Sequence, residues 1–330
     1  MVLSAEKIDR MVRDMEPALA AAFFSSLRLI RDKFTLALLE ELISRGAIDQ
    51  AIKIAEQAAQ KLGTAWTMGY NRAGQEAAEA LGRAVADIVI DFDITNWRAV
   101  EVARENQLRL VREFSDEQRA VTRDIIRQGV QDGENPRVTA RKIRESIGLT
   151  RKQQQSVENF RRMLETRDRT ALTRALRDRR FDPTIERAIR SGRPLTEAQI
   201  DNMVDRYRER MLKMRAETIA RTEALRAVNQ ATHQMFNQAV EMGLLQQNNI
   251  IQEWNTAKDE RVRGTHQAMH GQIRPFGVPF TTGSGASLMY PGDPAGPARE
   301  TINCRCAVGT RLRTVEGIGG VNVTVLDEIP

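Results

Sequence analysis

Residues 196–243, TEAQIDNMVDRYRERMLKMRAETIARTEALRAVNQATHQMFNQAVEMG, decide how the rest of the chain is read. Thr196 and Gln199 form a capping-box pattern at the start, with Pro194 just outside it, and Gly243 is a suitable stop. Between them Val204, Tyr207, Met211, Met214, Thr218, Arg221, Leu225, Val228, Thr232, Met235, Ala239 and Met242 alternate steps of three and four. That spacing predicts one long helix with a persistent buried stripe. Arg221 is the exception on the stripe. A guanidinium there needs a partner, because an unpaired buried charge is costly. The expectation is that it faces a polar core in the segment that follows.

Upstream, the pattern is also helical. Residues 47–89 place Ile48, Ile52, Ala55, Ala59, Leu62 and Trp66 at helical spacing. Gly63, Gly69, Gly74 and Gly82 interrupt this helix without a proline to end it, and small residues let a neighbour approach closely. Asp91-Phe92-Asp93 with Thr95, and Asn135-Pro136, mark turns, and Thr150 reads as the cap of a helix starting at Arg151.

Downstream of Gly243 the character changes. Residues 264–330 hold 11 of the 21 glycines and 6 of the 10 prolines, so only short strands fit there. Val321, Val323 and Val325 alternate as a short tail strand would. The fold expected is mainly α: an extended multi-helix N-terminal region over 1–195, a long connecting helix over 196–243, a small α+β domain over 244–313, and a tail over 314–330.

Charge is unevenly placed. The net charge is +6 over 330 residues, yet 137–180 alone carry 14 Lys and Arg against 5 Asp and Glu. Such a segment suits a polyanion, since neutralising phosphates releases counterions whatever the sequence. A solvated helix face is the alternative. The candidate DNA contacts are Arg141, Lys142, Arg144, Arg151, Lys152, Arg161, Arg162, Arg174 and Arg177. With Phe160 the lone aromatic in the segment, base stacking on single strands is not expected. The first residues mix both charge signs, and the apolar run 18–27 is too short to span a bilayer, so neither a signal peptide nor a membrane anchor is read. A soluble protein made in the cytoplasm is expected, where a structural disulfide is improbable.

The chemistry-bearing residues gather near the C-terminus. Two of the three histidines, His266 and His270, lie four apart, on one face if 258–270 is helical; both cysteines, Cys304 and Cys306, lie two apart, on one face if extended. On a strand their α-carbons would be roughly 6.6 Å apart with parallel side chains, which argues against a disulfide. Two readings stay open: a Cys2His2 zinc site from His266, His270, Cys304 and Cys306, or two small buried apolar residues on the inner face of a closing strand, the reading favoured. An enzyme, either a metal-dependent nuclease or a Cys–His hydrolase, is the alternative function. Gln267 stands where a zincin has its glutamate, however, and no phosphate loop or dinucleotide fingerprint is present. Asp259, Glu260, Arg261 and Arg263 are expected to form local ion pairs.

Three ordered stretches carry a resemblance: AETIARTEALRAVNQ at 216–230, WNTAKDERVRGTHQAMHG at 254–271 and YPGDPAGPARETINCRC at 290–306. Together they are similar to the phage Mu protein F-like family of minor head, or head morphogenesis, proteins of tailed double-stranded DNA phages, over roughly residues 197–310. Arg221, Glu223, Trp254, Asp259, Arg263, His266, Gly271, Pro291, Gly292 and the run Asn303-Cys304-Arg305-Cys306 match the family's recurring pattern. His270 departs from it, since the family more often has an acidic residue there. The resemblance implies a low-copy component inside the virion head near the portal vertex, assembled in the bacterial host cytoplasm. It implies portal protein, double-stranded DNA and the major capsid or scaffold proteins as partners, in head morphogenesis, packaging or DNA delivery. It brings no catalytic role and no required cofactor. Arg221, Glu223, Asp259, Arg263, His266 and Asn303 are the expected polar core of the small domain.

Overall fold

A computed structural model describes residues 2–85 and 88–313; Val321, Val323 and Val325 fall outside them. The protein is mainly helical, with a small sheet of short strands near the C-terminus. The helices are α1 (Ala5–Lys33), α2 (Leu36–Ser44), α3 (Ile48–Ala84), α4 (Trp97–Gln131), α5 (Pro136–Ser146), α6 (Arg151–Glu165), α7 (Asp182–Ser191) and α8 (Glu197–Glu241). The C-terminal part adds β1 (Ile250–Asn255), α9 (Gly264–Gln267), β2 (Ile273–Pro275), β3 (Phe280–Thr281), β4 (Ser287–Leu288), α10 (Ala298–Thr301) and β5 (Ala307–Leu312).

The helix ends follow their local chemistry. At α6, Thr150 Oγ1 accepts from Gln153 N while Gln153 Oε1 accepts from Thr150 N, a reciprocal capping box. The same exchange joins Thr196 and Gln199 at the start of α8. Asn135 caps α5 with Pro136 in its first turn, and Gly243 ends α8 at φ +71°.

The chain divides into two compact units, and α1, α3, α4 and α8 each contribute residues to both. One unit holds 23–61 and 110–217. Its core includes Phe23, Leu27, Leu39, Phe114, Ile143, Leu164 and Leu212, with Phe160 stacked on Tyr207 at 4.5 Å between ring centres. Half-buried within it, Arg215 donates to Gly148 O at 2.8 Å and lies 5.8 Å from the Phe23 ring. Burial lowers the Arg215 pKa, with Glu117 opposing.

The other unit holds the chain up to Ala22, Leu62–Arg109 and everything described from Thr218 onward. Here the glycines of α3 take the neighbours expected of them. A Cβ on Gly63 would meet Gln107 of α4, one on Gly69 would meet Met15 of α1, and one on Gly74 would meet the Phe92 ring. The small sheet has the order β2-β1-β5, all antiparallel, with Ile251 opposite Pro275 on one side and Arg311 on the other. The outer edge of β5 is covered by the start of the chain. Thr310 N donates to Leu3 O at 2.8 Å, and Leu3 N returns a bond to Thr310 O at 3.1 Å.

α8 departs from the one-stripe expectation within this unit. Every residue from Thr222 to Thr232 is buried, whereas Met242 of the expected stripe is exposed. The cause lies in its neighbours. Arg221 meets Glu16 of α1, Gln230 meets Asn106 of α4, and Arg226 and Thr222 meet the small domain. A helix enclosed on several sides has no solvent face, so its polar residues are matched to polar partners instead.

Candidate functional site

The small domain reaches α8 through two turns. In the first, Gly292 sits at φ +82°, and a Cβ there would lie 3.4 Å from Arg226 N, so glycine both permits the turn and admits the helix backbone. Gly292 O accepts from Arg226 Nε at 3.2 Å. Asp293, buried beside it, accepts from Met289 N at 2.8 Å and Ala295 N at 2.9 Å, which holds the YPGDPAG turn in shape. In the second turn Asn303 is left-handed at φ +54°, a conformation asparagine tolerates better than most residues. Its N–H donates to Thr222 Oγ1 at 2.9 Å.

That second turn corrects the closing strand expected through Cys304 and Cys306. β5 begins only at Ala307, because the left-handed Asn303 redirects the chain after α10. The cysteines therefore sit on a bend, and the parallel-side-chain geometry of a strand does not apply to them. Cys306 N donates to Cys304 Sγ at 3.5 Å. Both sulfurs converge on one nitrogen: His266 Nδ1 lies 3.5 Å from Cys304 Sγ and 3.4 Å from Cys306 Sγ. All three side chains are buried, and both thiols are free.

His266 reaches them from α9, which is a single turn rather than the helix expected over 258–270. Lys258, left-handed at φ +54°, and the Asp259 side chain accepting from Arg261 N hold the preceding residues in a turn. Gly271, at φ +78°, closes the far side. With so short a helix His266 and His270 part company. His270 is exposed, and its Nδ1 accepts from Thr256 N at 3.2 Å.

The other nitrogen of the His266 ring meets a residue that sequence reasoning left unassigned. Glu300 Oε2 lies 3.1 Å from His266 Nε2, which has no aligned hydrogen-bond acceptor. Glu300 is itself buried and accepts from Thr265 Oγ1 and Ser284 Oγ, each at 2.8 Å. Burial raises its pKa, but these two hydrogen bonds and the nearby His266 and Arg263 outweigh it, so the net shift is downward and the carboxylate stays charged. The thiols titrate as a pair. Hydrogen bonding to Cys306, with further help from His266, pulls Cys304 well down despite burial, while the same bond and burial push Cys306 up. The pair thus loses its first proton readily and holds the second. The signal for Glu300 is its place within the quoted YPGDPAGPARETINCRC stretch, four residues before Cys304.

The remaining sequence candidates are dispersed. Asp259 makes a two-point ion pair with Arg305 at 2.8 Å, and Arg263 donates to Ile302 O. Arg221 does not join the small domain's polar core. It pairs with Glu16 at 2.6 Å, and one position along the helix it is Thr222 that faces Asn303. Glu223 lies between Arg109 of α4 and Arg226, accepting from Arg226 at 2.8 Å. Arg109 and Arg226 were not singled out from the sequence. In the other unit, four of the nine basic candidates are in ion pairs: Lys142 with Glu134, Arg151 with Asp124, Arg161 with Glu197 and Asp201, and Arg177 with Asp182. Arg174 donates to Tyr207 at 3.3 Å. Arg141, Arg144, Lys152 and Arg162 are exposed.

The protein is thus mainly helical, with a small antiparallel domain packed against the buried stretch Thr222–Thr232 of α8 and a buried Cys–His–Glu centre within that domain. Over residues 170–309 the chain matches the family model described as Phage Mu protein F like protein, the family to which the three motifs point. The match starts earlier than the motifs, taking in α7 and the 3-10 turns before it, and covers less than half of the chain. No curated protein and no solved structure matches the chain. Among the described residues no helix is long and apolar enough to cross a membrane.

Proposed function

We propose that this protein is a minor head protein of a tailed double-stranded DNA phage. It acts in head morphogenesis at the portal, inside the capsid, and contacts portal protein and genomic DNA, with major capsid or scaffold proteins as further partners. The observation that carries this reading is the family match over 170–309. The chemistry of the basic segment supports the DNA contact. Arg141, Arg144, Lys152 and Arg162 are exposed, and the ion pairs of Lys142, Arg151 and Arg161 are solvent-accessible, so phosphate can compete for those side chains.

The burial of His266, Cys304 and Cys306 supports a structural rather than catalytic reading of the centre, since a nucleophilic sulfur must meet its substrate. The test is twofold. Portal protein should co-purify with the tagged chain. Binding to random-sequence duplex DNA should weaken with salt, with roughly −3.6 of the log–log slope contributed by Arg141, Arg144, Lys152 and Arg162 if each neutralises one phosphate. The variant with all four changed to alanine should lose most of that contribution. DNA binding that is indifferent to salt, together with no capture of portal protein, would refute the proposal.

A further inference from the structure

The Cys–His–Glu centre has the geometry of a metal site rather than of packed apolar side chains. In tetrahedral zinc coordination, bonds of about 2.3 Å to sulfur and about 2.0–2.1 Å to nitrogen place each S···N edge at about 3.6 Å. The two edges here are 3.5 and 3.4 Å, and both run to the same nitrogen. The ligand atoms of His266, Cys304 and Cys306 all lie within 4.8 Å of one another, with each side chain buried. Among the described residues no other His, Cys, Asp and Glu side chains converge as a group of three or more.

Two supporting contacts are of the kind that metal ligands have. Glu300, fixed by Thr265 and Ser284, stands 3.1 Å from His266 Nε2. It favours the proton on that nitrogen and leaves the Nδ1 lone pair toward the sulfurs. The Cys306 N–H points at Cys304 Sγ, a contact that stabilises negative charge on sulfur.

We propose that Cys304, Cys306 and His266 Nδ1 bind one zinc ion, with Glu300 as the positioning carboxylate behind His266. His270 takes no part. Binding displaces the thiol protons to solvent, so no redox partner is involved. The ion fastens three separate pieces of the small domain: α9, α10 through Glu300, and the bend before β5. This inference is independent of the head-protein reading.

The experiment uses the full chain, purified under reducing conditions and reconstituted with zinc. Elemental analysis should find about one zinc per chain, and cobalt substitution should give the thiolate-to-cobalt charge-transfer absorption of a two-sulfur tetrahedral site. Competition with a chromophoric chelator should show that Glu300→Gln weakens zinc binding by roughly 10–100-fold, whereas His270→Ala leaves it unchanged. A wild-type protein that takes up no zinc and gives no cobalt–thiolate band overturns the proposal, whatever the variants do. So does full zinc uptake by the Cys304→Ser/Cys306→Ser variant, which would place the ion elsewhere. An unchanged affinity in Glu300→Gln removes the positioning role, and a loss in His270→Ala refutes the three-ligand assignment.

Discussion

Replacing Glu223 by leucine should be among the most damaging single changes on α8. The carboxylate is 5% exposed and lies between the guanidinium groups of Arg109 and Arg226, the latter 8% exposed and 2.8 Å away. Removing it leaves two positive charges facing one another, with that of Arg226 buried. Breaking a buried ion pair from one side costs about 3–5 kcal/mol, far more than the net worth of the pair against an apolar substitute. Adding Arg226→Met and Arg109→Leu should therefore recover much of the loss. Some penalty remains, because Gly292 O then loses its Arg226 donor. The assay is guanidinium titration followed by tryptophan fluorescence. All three tryptophans, Trp66, Trp97 and Trp254, lie in the unit that contains Glu223, so the signal reports that unit. A loss below about 1 kcal/mol for Glu223→Leu, or no recovery in the triple variant, would refute the argument.

Acid stability should depend on His233. Burial holds its pKa down to about 4, with Asp293 opposing, against an ordinary value of 6.5. Its folded pKa is the lower one, so the unfolded chain takes up the proton first. Its contribution is complete above pH 6.5 and is lost as pH falls toward 4. Between pH 7 and 5 that is about 2 kcal/mol, and His233→Phe, which keeps a ring against Phe276 and Tyr290, should flatten this part of the stability–pH curve. An identical slope in the variant would contradict the assignment. Gly74→Ala should cost about 1–3 kcal/mol even though alanine is the better helix former, since the new Cβ would lie 2.3 Å from Phe92 Cδ1. Denaturant titration that shows Gly74→Ala to be neutral or stabilising would mean that the Phe92 ring yields without cost.

Much of the helical framework was legible because it rests on local chemistry. Thr150, Asn135, Thr196 and Gly243 set their helix ends through their own side chains or φ angles, and those signals are written in a few adjacent residues. What could not be read was tertiary. The period on α8 marks a stripe, but whether the opposite faces are also covered depends on elements distant in sequence. The meeting of Glu16 with Arg221 and of Arg109 with Glu223 is such a case. The thiol pair was misread for a related reason. The closing strand expected through Cys304 and Cys306 begins later, because the left-handed Asn303, tied to Thr222, turns the chain and brings both sulfurs onto His266. The pairing of His266 with His270 failed because α9 is a single turn, and the acid that took the neighbouring place, Glu300, comes from a different element. Composition located the basic segment. Only the structure separates its solvent-facing cations from those, such as Arg177, engaged in ion pairs.

The head-protein account is tested most directly by mass spectrometry of particles purified from cells that carry this gene and treated with nuclease, alongside DNA-free precursor heads. The account predicts that peptides of this chain stay with the particles after nuclease treatment, at low copy relative to the major capsid protein. Their absence from both mature particles and precursor heads, with the chain present in the surrounding lysate, would contradict it.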